Sequence, residues 1–154
     1  MLRLATAALI ALGAALPVAA QSVSAYYPES IVDALRDAGY KAVLTTDDVG
    51  DPRIDSASSG VSYSIWFYGC DETNARCTDV EFRAGFDLTE PLDPSIINQW
   101  NREELIGSAY LDEEGDPFIR HHFVSFDGFP RASFETFLDT WERVLAYFTA
   151  RIGW

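Results

Sequence analysis

Basic residues are scarce in this chain. Eleven Lys and Arg stand against 24 Asp and Glu, for a net charge of -13, and Lys41 is the single lysine. Such a surface repels nucleic acid and anionic lipid headgroups, so neither is expected as a partner. Long apolar runs are missing beyond the N-terminus, which leaves no later segment able to span a bilayer. Gly50, Gly60, Gly69 and Gly85 are isolated, so no loop cradles a phosphate, and no Gly-x-Ser-x-Gly elbow surrounds a serine. Cysteine and histidine number two each. A zinc site of four such ligands would need them all. His121 and His122 are adjacent on an expected strand, where neighbouring side chains point to opposite faces.

What is present begins with an address. The opening "MLRLATAALIALGAALPVAAQS" has one charge, Arg3, then an apolar stretch that Pro17 breaks. Val18, Ala19 and Ala20 supply small residues before Gln21. This is the pattern of a secretory signal peptide cut after Ala20. A membrane anchor needs about 20 apolar residues, and this run is shorter. The expected organisation is a signal over residues 1–20, an extended leader over 21–27 and one domain over 28–154, located in the periplasm or outside the cell. Losing Arg3 with the signal deepens the acidic excess by one charge. Aromatic residues make up 14% of the chain, which places it among folded domains rather than acidic disordered tails.

An oxidising compartment gives Cys70 and Cys77 a reason to pair. The segment before them alternates, with Val61, Tyr63, Ile65 and Phe67 on one face. The segment after them alternates too, with Val80, Phe82, Ala84 and Phe86 opposed to Asp79, Glu81 and Arg83. Both read as strands, and the polar "GCDETNAR" between them reads as a hairpin loop. A disulfide across that loop is expected to contribute roughly 2 to 3 kcal/mol by constraining the unfolded chain. The rivals fit less well. A redox motif wants Cys-x-x-Cys opening a helix, and a metal site wants more ligands.

Along the rest of the chain, "PESIVDALRDAGY" predicts a helix with Pro28 at its first position, Ile31, Leu35 and Ala38 on one face and Gly39 at its end. "YKAVLTTD" predicts a strand, "DDVGDPRID" a turn, and "RIDSAS" a short, weak strand. "LDPSIINQWNREEL" predicts a second helix, capped by Asp93 and burying Ile96, Ile97 and Trp100. "GSAYLDEEGDPFIRHHFVSF" predicts a second hairpin. In "SFETFLDTWERVLAYFTARIGW" Phe134, Phe137, Leu138, Trp141, Leu145, Phe148 and Ile152 recur at helical spacing, the mark of a core helix lying on a sheet. The order implies an α+β fold, an antiparallel sheet with helices packed mainly on one face.

The early helix ending at glycine, "FYGC", "EFRAGF", "WNRE" and then "AYLDEEGDP" with a last aromatic helix resemble the YbjN family over roughly residues 28–150. Its members carry the label of bacterial sensory transduction regulators, a family name rather than a demonstrated mechanism. The resemblance implies a fold similar to that of type III secretion chaperones, which bind polypeptides, and it implies no enzymatic chemistry or cofactor. It also allows a homodimer. The signal peptide and the cysteine pair set this chain apart from cytoplasmic members, which puts a direct role on DNA in doubt.

Other candidates are weaker. Asp112, Glu113, Glu114 and Asp116 crowd one turn, as Asp47, Asp48 and Asp51 crowd another. Neither fits the calcium-loop pattern, and a solvated turn is the simpler account. Ser125 lies near the histidines in sequence, yet nearness alone makes no triad. Trp66 and Tyr68 lie on the strand face opposite Val61 to Phe67. If nothing covers that face they form an aromatic recognition surface. The expected function is therefore a non-enzymatic binding domain that recognises a polypeptide or envelope component through an exposed apolar or aromatic face. The rivals are a hydrolase using clustered carboxylates and a structural homodimer of the envelope.

Overall fold

The structure is a computed structural model that describes residues 22–125 and 127–154. The expected signal over 1–20 lies outside the described residues. Among the described residues no helix is long and apolar enough to cross a membrane.

After a two-residue strand β1 (Ser22–Val23), helix α1 (Pro28–Asp37) starts at its proline. Gly39, with φ of 89°, turns the chain into β2 (Lys41–Thr46). Strands β3 (Pro52–Ser58), β4 (Val61–Tyr68) and β5 (Asp79–Gly85) follow as a meander. Helix α2 (Pro94–Glu103) leads to the hairpin of β6 (Ser108–Leu111) and β7 (Pro117–Val124). A two-residue β8 (Phe129–Pro130) precedes the long helix α3 (Arg131–Ile152). The main sheet has six antiparallel strands in the order β2-β3-β4-β5-β7-β6, and β1 pairs with β8 in a small second sheet.

The alternation read in the sequence decides which side of the sheet is dry. Val61, Tyr63, Ile65 and Phe67 are buried, as are Val80, Phe82 and Ala84 of β5. The stripe of α3 covers them. Phe82 sits 5.7 Å from Trp141 and 4.8 Å from Phe137, ring centre to ring centre. Phe148 joins Phe86 and Trp100 at 5.6 and 5.0 Å. A helix amphipathic over this length becomes stable by burying its apolar side against such a surface.

One expectation changes and another gains detail. Within the segment read as an extended leader over 21–27, Val23 and Ala25 are fully buried, and Ser24 and Ala25 bond to Ser125. Its alternation was too short to declare a strand. "RIDSAS" is a seven-residue central strand rather than a weak one. Its inward residues are Ile54, Ser56 and Ser58, all buried, so serines stand where a hydrophobic pattern was sought. Ser58 donates to the Glu142 carboxylate of α3, which explains one of them. Among the described residues, Ser56 Oγ, Tyr63 Oη and Trp141 Nε1 are buried without a hydrogen-bond partner, a local cost in this part of the core.

Cys70 and Cys77 form the expected disulfide just beyond the paired ends of β4 and β5, where Tyr68 faces Asp79. Cys77 is fully buried. The loop between them is ordered by Asp71, whose carboxylate accepts from Thr73, Ala75 and Arg76. The bonds from Thr73, then the Arg76 guanidinium, hold that carboxyl well below the usual carboxylate range.

Candidate functional site

The side of the sheet away from α3 carries no helix among the described residues. The pairing register brings its residues into rows. Arg53, Trp66, Glu81 and His122 lie side by side across β3, β4, β5 and β7, and Asp55, Ser64, Arg83 and Arg120 form the next row. Trp66 is the centre of this lattice. The Arg53 guanidinium lies 5.3 Å from its ring centre and that of Arg83 lies 4.9 Å away, so a cation sits against the indole from each neighbouring strand.

Each arginine is itself held. Arg53 bonds Asp55 through Nε and Nη2 at 3.1 and 3.3 Å, and Ser64 donates to the same carboxylate at 2.9 Å. Arg83 Nε donates to Glu81 at 2.7 Å while its Nη2 donates to the Tyr68 hydroxyl at 2.8 Å. Burial alone would lower the Arg83 pKa, but the Glu81 carboxylate outweighs it and the value is raised. Glu81 is 5% exposed, and Arg120 approaches its other oxygen at 3.6 Å. Two guanidinium groups offset the cost of burying that charge. Tyr68 is 37% exposed; burial and then the nearby Glu81 push its hydroxyl above its ordinary pKa.

Beside the lattice runs a trough of about 400 Å³. Small residues Ala57, Ser62, Ser64 and Gly85 make room for it, and Trp66, Phe118, Lys41 and Arg83 border it. Phe118 lies directly over Gly85, where an added Cβ would meet its ring at 2.3 Å, so the glycine is what lets that ring lie flat. Tyr110 stacks on Phe118 at 5.1 Å, and Arg120 covers Tyr110 at 5.2 Å. The face bears four full cations, Lys41, Arg53, Arg83 and Arg120, against Asp55, Asp79 and Glu81. It is close to neutral in a strongly acidic protein.

Trp66 and Tyr68 therefore share the uncovered face, but the face is not an apolar patch. Trp66 is half-buried between guanidinium groups, and most of its neighbours are charged. The arginines were the residues that sequence reasoning missed. Arg53 and Arg83 are 30 positions apart, and only the register sets both against Trp66. The histidines diverge as expected. His121 lies among Phe123 and Phe137 on the covered side, where burial lowers its pKa, while His122 approaches Asp79 at 3.4 Å on the open side. Ser125 is buried, and its hydroxyl accepts from Ala25 N–H rather than meeting a histidine. Asp47 and Asp112 serve their own turns, while Asp51 accepts from Asn74 and Asp116 from Leu88 N–H. Asp47 accepts from Val49 and Asp51 N–H, and Asp112 from Glu114 and Asp116 N–H. Among the described residues no three acidic, histidine or cysteine side chains are grouped to hold a metal ion.

The motif residues "WN" have a structural task. Trp100 Nε1 donates to Gly107 O at 2.9 Å. The Asn101 amide donates to Ala109 O at 3.0 Å and accepts from Ala109 N–H at 2.9 Å, so it bonds the outer edge of β6 as another strand would. Gly107 has φ of 83°, and any side chain there would press on Ile119 and Val144. The family model described as "YbjN: Putative bacterial sensory transduction regulator" matches residues 15–154. The chain belongs to the YbjN family. The description of YbjN names a regulatory role and no reaction. No curated protein and no solved structure matches the chain.

Proposed function

We propose that this YbjN-family chain is a non-enzymatic binding domain of the bacterial envelope that recognises a polypeptide or envelope component across the uncovered face of its sheet. The export signal read over residues 1–20 and the disulfide support the location. The observation that carries the reading is the placement of Trp66, fixed between Arg53 and Arg83 at the border of the trough. Trp, Tyr and Arg are the residue types that concentrate binding energy at protein interfaces, and here they are held in place before any partner arrives. The near neutrality of this face lets an acidic partner approach it, while the acidic remainder of the surface repels such a partner elsewhere.

The test is affinity capture of the tagged protein from the envelope fraction of its own host, at low and high salt, in parallel with Trp66→Ala. A stoichiometric partner that survives high salt and is weakened about 30-fold or more by Trp66→Ala is the expected result, the loss typical of a central aromatic anchor. An unchanged set of partners with Trp66→Ala would sink the proposal.

A further inference from the structure

We propose that the outer edge of β2 accepts an extended polypeptide as a seventh strand, whose residue opposite Leu44 places an apolar side chain in the cleft between Tyr27 and the disulfide loop. This rests on the reading of the domain as a polypeptide binder and names how main chain is held.

The two edges of the sheet differ. At the β6 edge Asn101 takes up both main-chain groups of Ala109, and α2 packs along that strand. At β2 the main-chain directions follow from two hydrogen bonds. Asp47 N–H donates to Asp51 O at 2.9 Å, so the odd-numbered residues turn their polar groups toward β3. Arg36 reaches Ala42 O from the other side, at 3.2 and 2.8 Å, so the even-numbered residues turn theirs outward. Arg36 occupies the carbonyl of Ala42. The N–H and C=O groups of Leu44 and Thr46 point outward in the same way, and among the described residues no strand lies beyond them. Unpaired groups of this kind are a template for another extended chain.

A cleft of about 630 Å³ adjoins this stretch. Tyr26, Tyr27, Leu44 and Pro52 line it, and Asn74 and Arg76 of the disulfide loop form its far wall. The wall is fixed: Asn74 donates to Val49 O at 3.1 Å and to Asp51 at 2.8 Å, and Arg76 pairs with Asp71. Tyr27 is 63% exposed and Leu44 39%, high values for apolar groups flanking a concave site. Leu44 lies opposite Ile54, which is buried, so it faces the covered side of the sheet. A residue paired directly with Leu44 carries its side chain on that same side and thus into the cleft.

The occupant is a segment of another polypeptide, with an apolar anchor and basic flanks. Glu29 at the cleft and Asp48 in the turn after β2 are exposed carboxylates that a lysine or arginine flanking the anchor would meet. A second copy of this chain fits less well. A two-fold pairing centred on Leu44 sets Thr46 against Ala42 of the other copy, whose carbonyl already holds Arg36.

The experiment uses protein purified from its host and a panel of short synthetic peptides with a central Leu, Val or Phe between alternating Lys and Val. Each binder is also made with single N-methyl groups along its main chain, and amide hydrogen exchange is followed residue by residue. The expected result is slowed exchange at Leu44 and Thr46, with affinity falling about ten-fold or more when N-methyl groups occupy one alternate set of positions and little at the other set. Leu44→Pro removes an outward N–H without touching the β3 ladder, and it is expected to abolish binding. Gln99→Ala, on α2 away from this edge, is expected to leave it intact. Four outcomes would overturn the inference: no panel member binding at millimolar concentration, indifference to the N-methyl position, protection that appears without peptide as protein concentration rises, or binding lost with Trp66→Ala but kept with Leu44→Pro. The last leaves the open-face reading of the function standing, whereas loss of both kinds of binding removes it.

Discussion

Asn101→Ala is expected to be among the more costly single substitutions outside the aromatic core. The amide makes two hydrogen bonds to the main chain of Ala109, a residue 7% exposed at the outer edge of β6. A buried main-chain group left without a partner costs about 1 to 3 kcal/mol. Two such groups would cost more, but the edge position lets water reach them in part, so the expected loss is roughly 2 to 3 kcal/mol. For a domain of this size that lowers the melting temperature by about 10 °C. Urea unfolding followed by tryptophan fluorescence measures it, with an unchanged slope showing that the folded and unfolded states are otherwise alike. Asn101→Asp keeps the acceptor for Ala109 N–H and removes the donor for Ala109 O, so it is expected to cost at least as much. Gln99→Ala on the exposed side of the same helix loses only a bond to Glu103 and serves as the control. A loss below about 0.5 kcal/mol for Asn101→Ala would refute the edge-sealing argument, because an ordinary surface substitution does as little.

Tyr63→Phe is expected to leave stability unchanged or slightly raised near neutral pH, since the Tyr63 hydroxyl is buried without a partner; a loss above about 1 kcal/mol would contradict that. The same burial pushes the Tyr63 pKa from 10.0 up to about 12. The unfolded chain then releases this proton first, so stability is full below pH 10 and falls as pH rises from there toward the folded value, by at most about 1.4 kcal/mol per pH unit. Denaturation curves in that range should show a steeper slope in the native protein than in Tyr63→Phe, in which the raised hydroxyls of Tyr40 and Tyr68 remain. Paired Cys70→Ala and Cys77→Ala, or reduction of the native protein, should cost roughly 2 to 3 kcal/mol in urea and free Asn74 from Val49 and Asp51; an unchanged midpoint under reductant would count against the disulfide as a brace.

Much of the fold was legible because its signals are periodic. The spacing of Phe134, Leu138, Trp141, Leu145 and Phe148 marks a helix with one apolar side, and the alternation around Val61 and Phe82 marks strands with one dry face. Pro28, Asp93 and Gly39 mark helix ends through rules that act over a few residues. Where serines replaced apolar residues, as at Ser56 and Ser58, the period-two signal faded and the strand was underestimated. Segment 22–27 was too short for any period to show.

Of the candidate site, the sequence determined that Trp66 and Tyr68 stand on one side of a strand and the apolar residues on the other, because side chains alternate along any extended chain. It determined the disulfide loop by composition and nearness. Which residues surround Trp66 was a matter for the tertiary structure alone. Arg53 and Arg83 meet the indole through strand register, and Asn101 takes up Ala109 at one edge of the sheet while Leu44 and Thr46 leave the other open through strand order. Register and order depend on pairings between residues far apart in the chain. No local propensity encodes them, because they are set by the one arrangement that buries every apolar face at once.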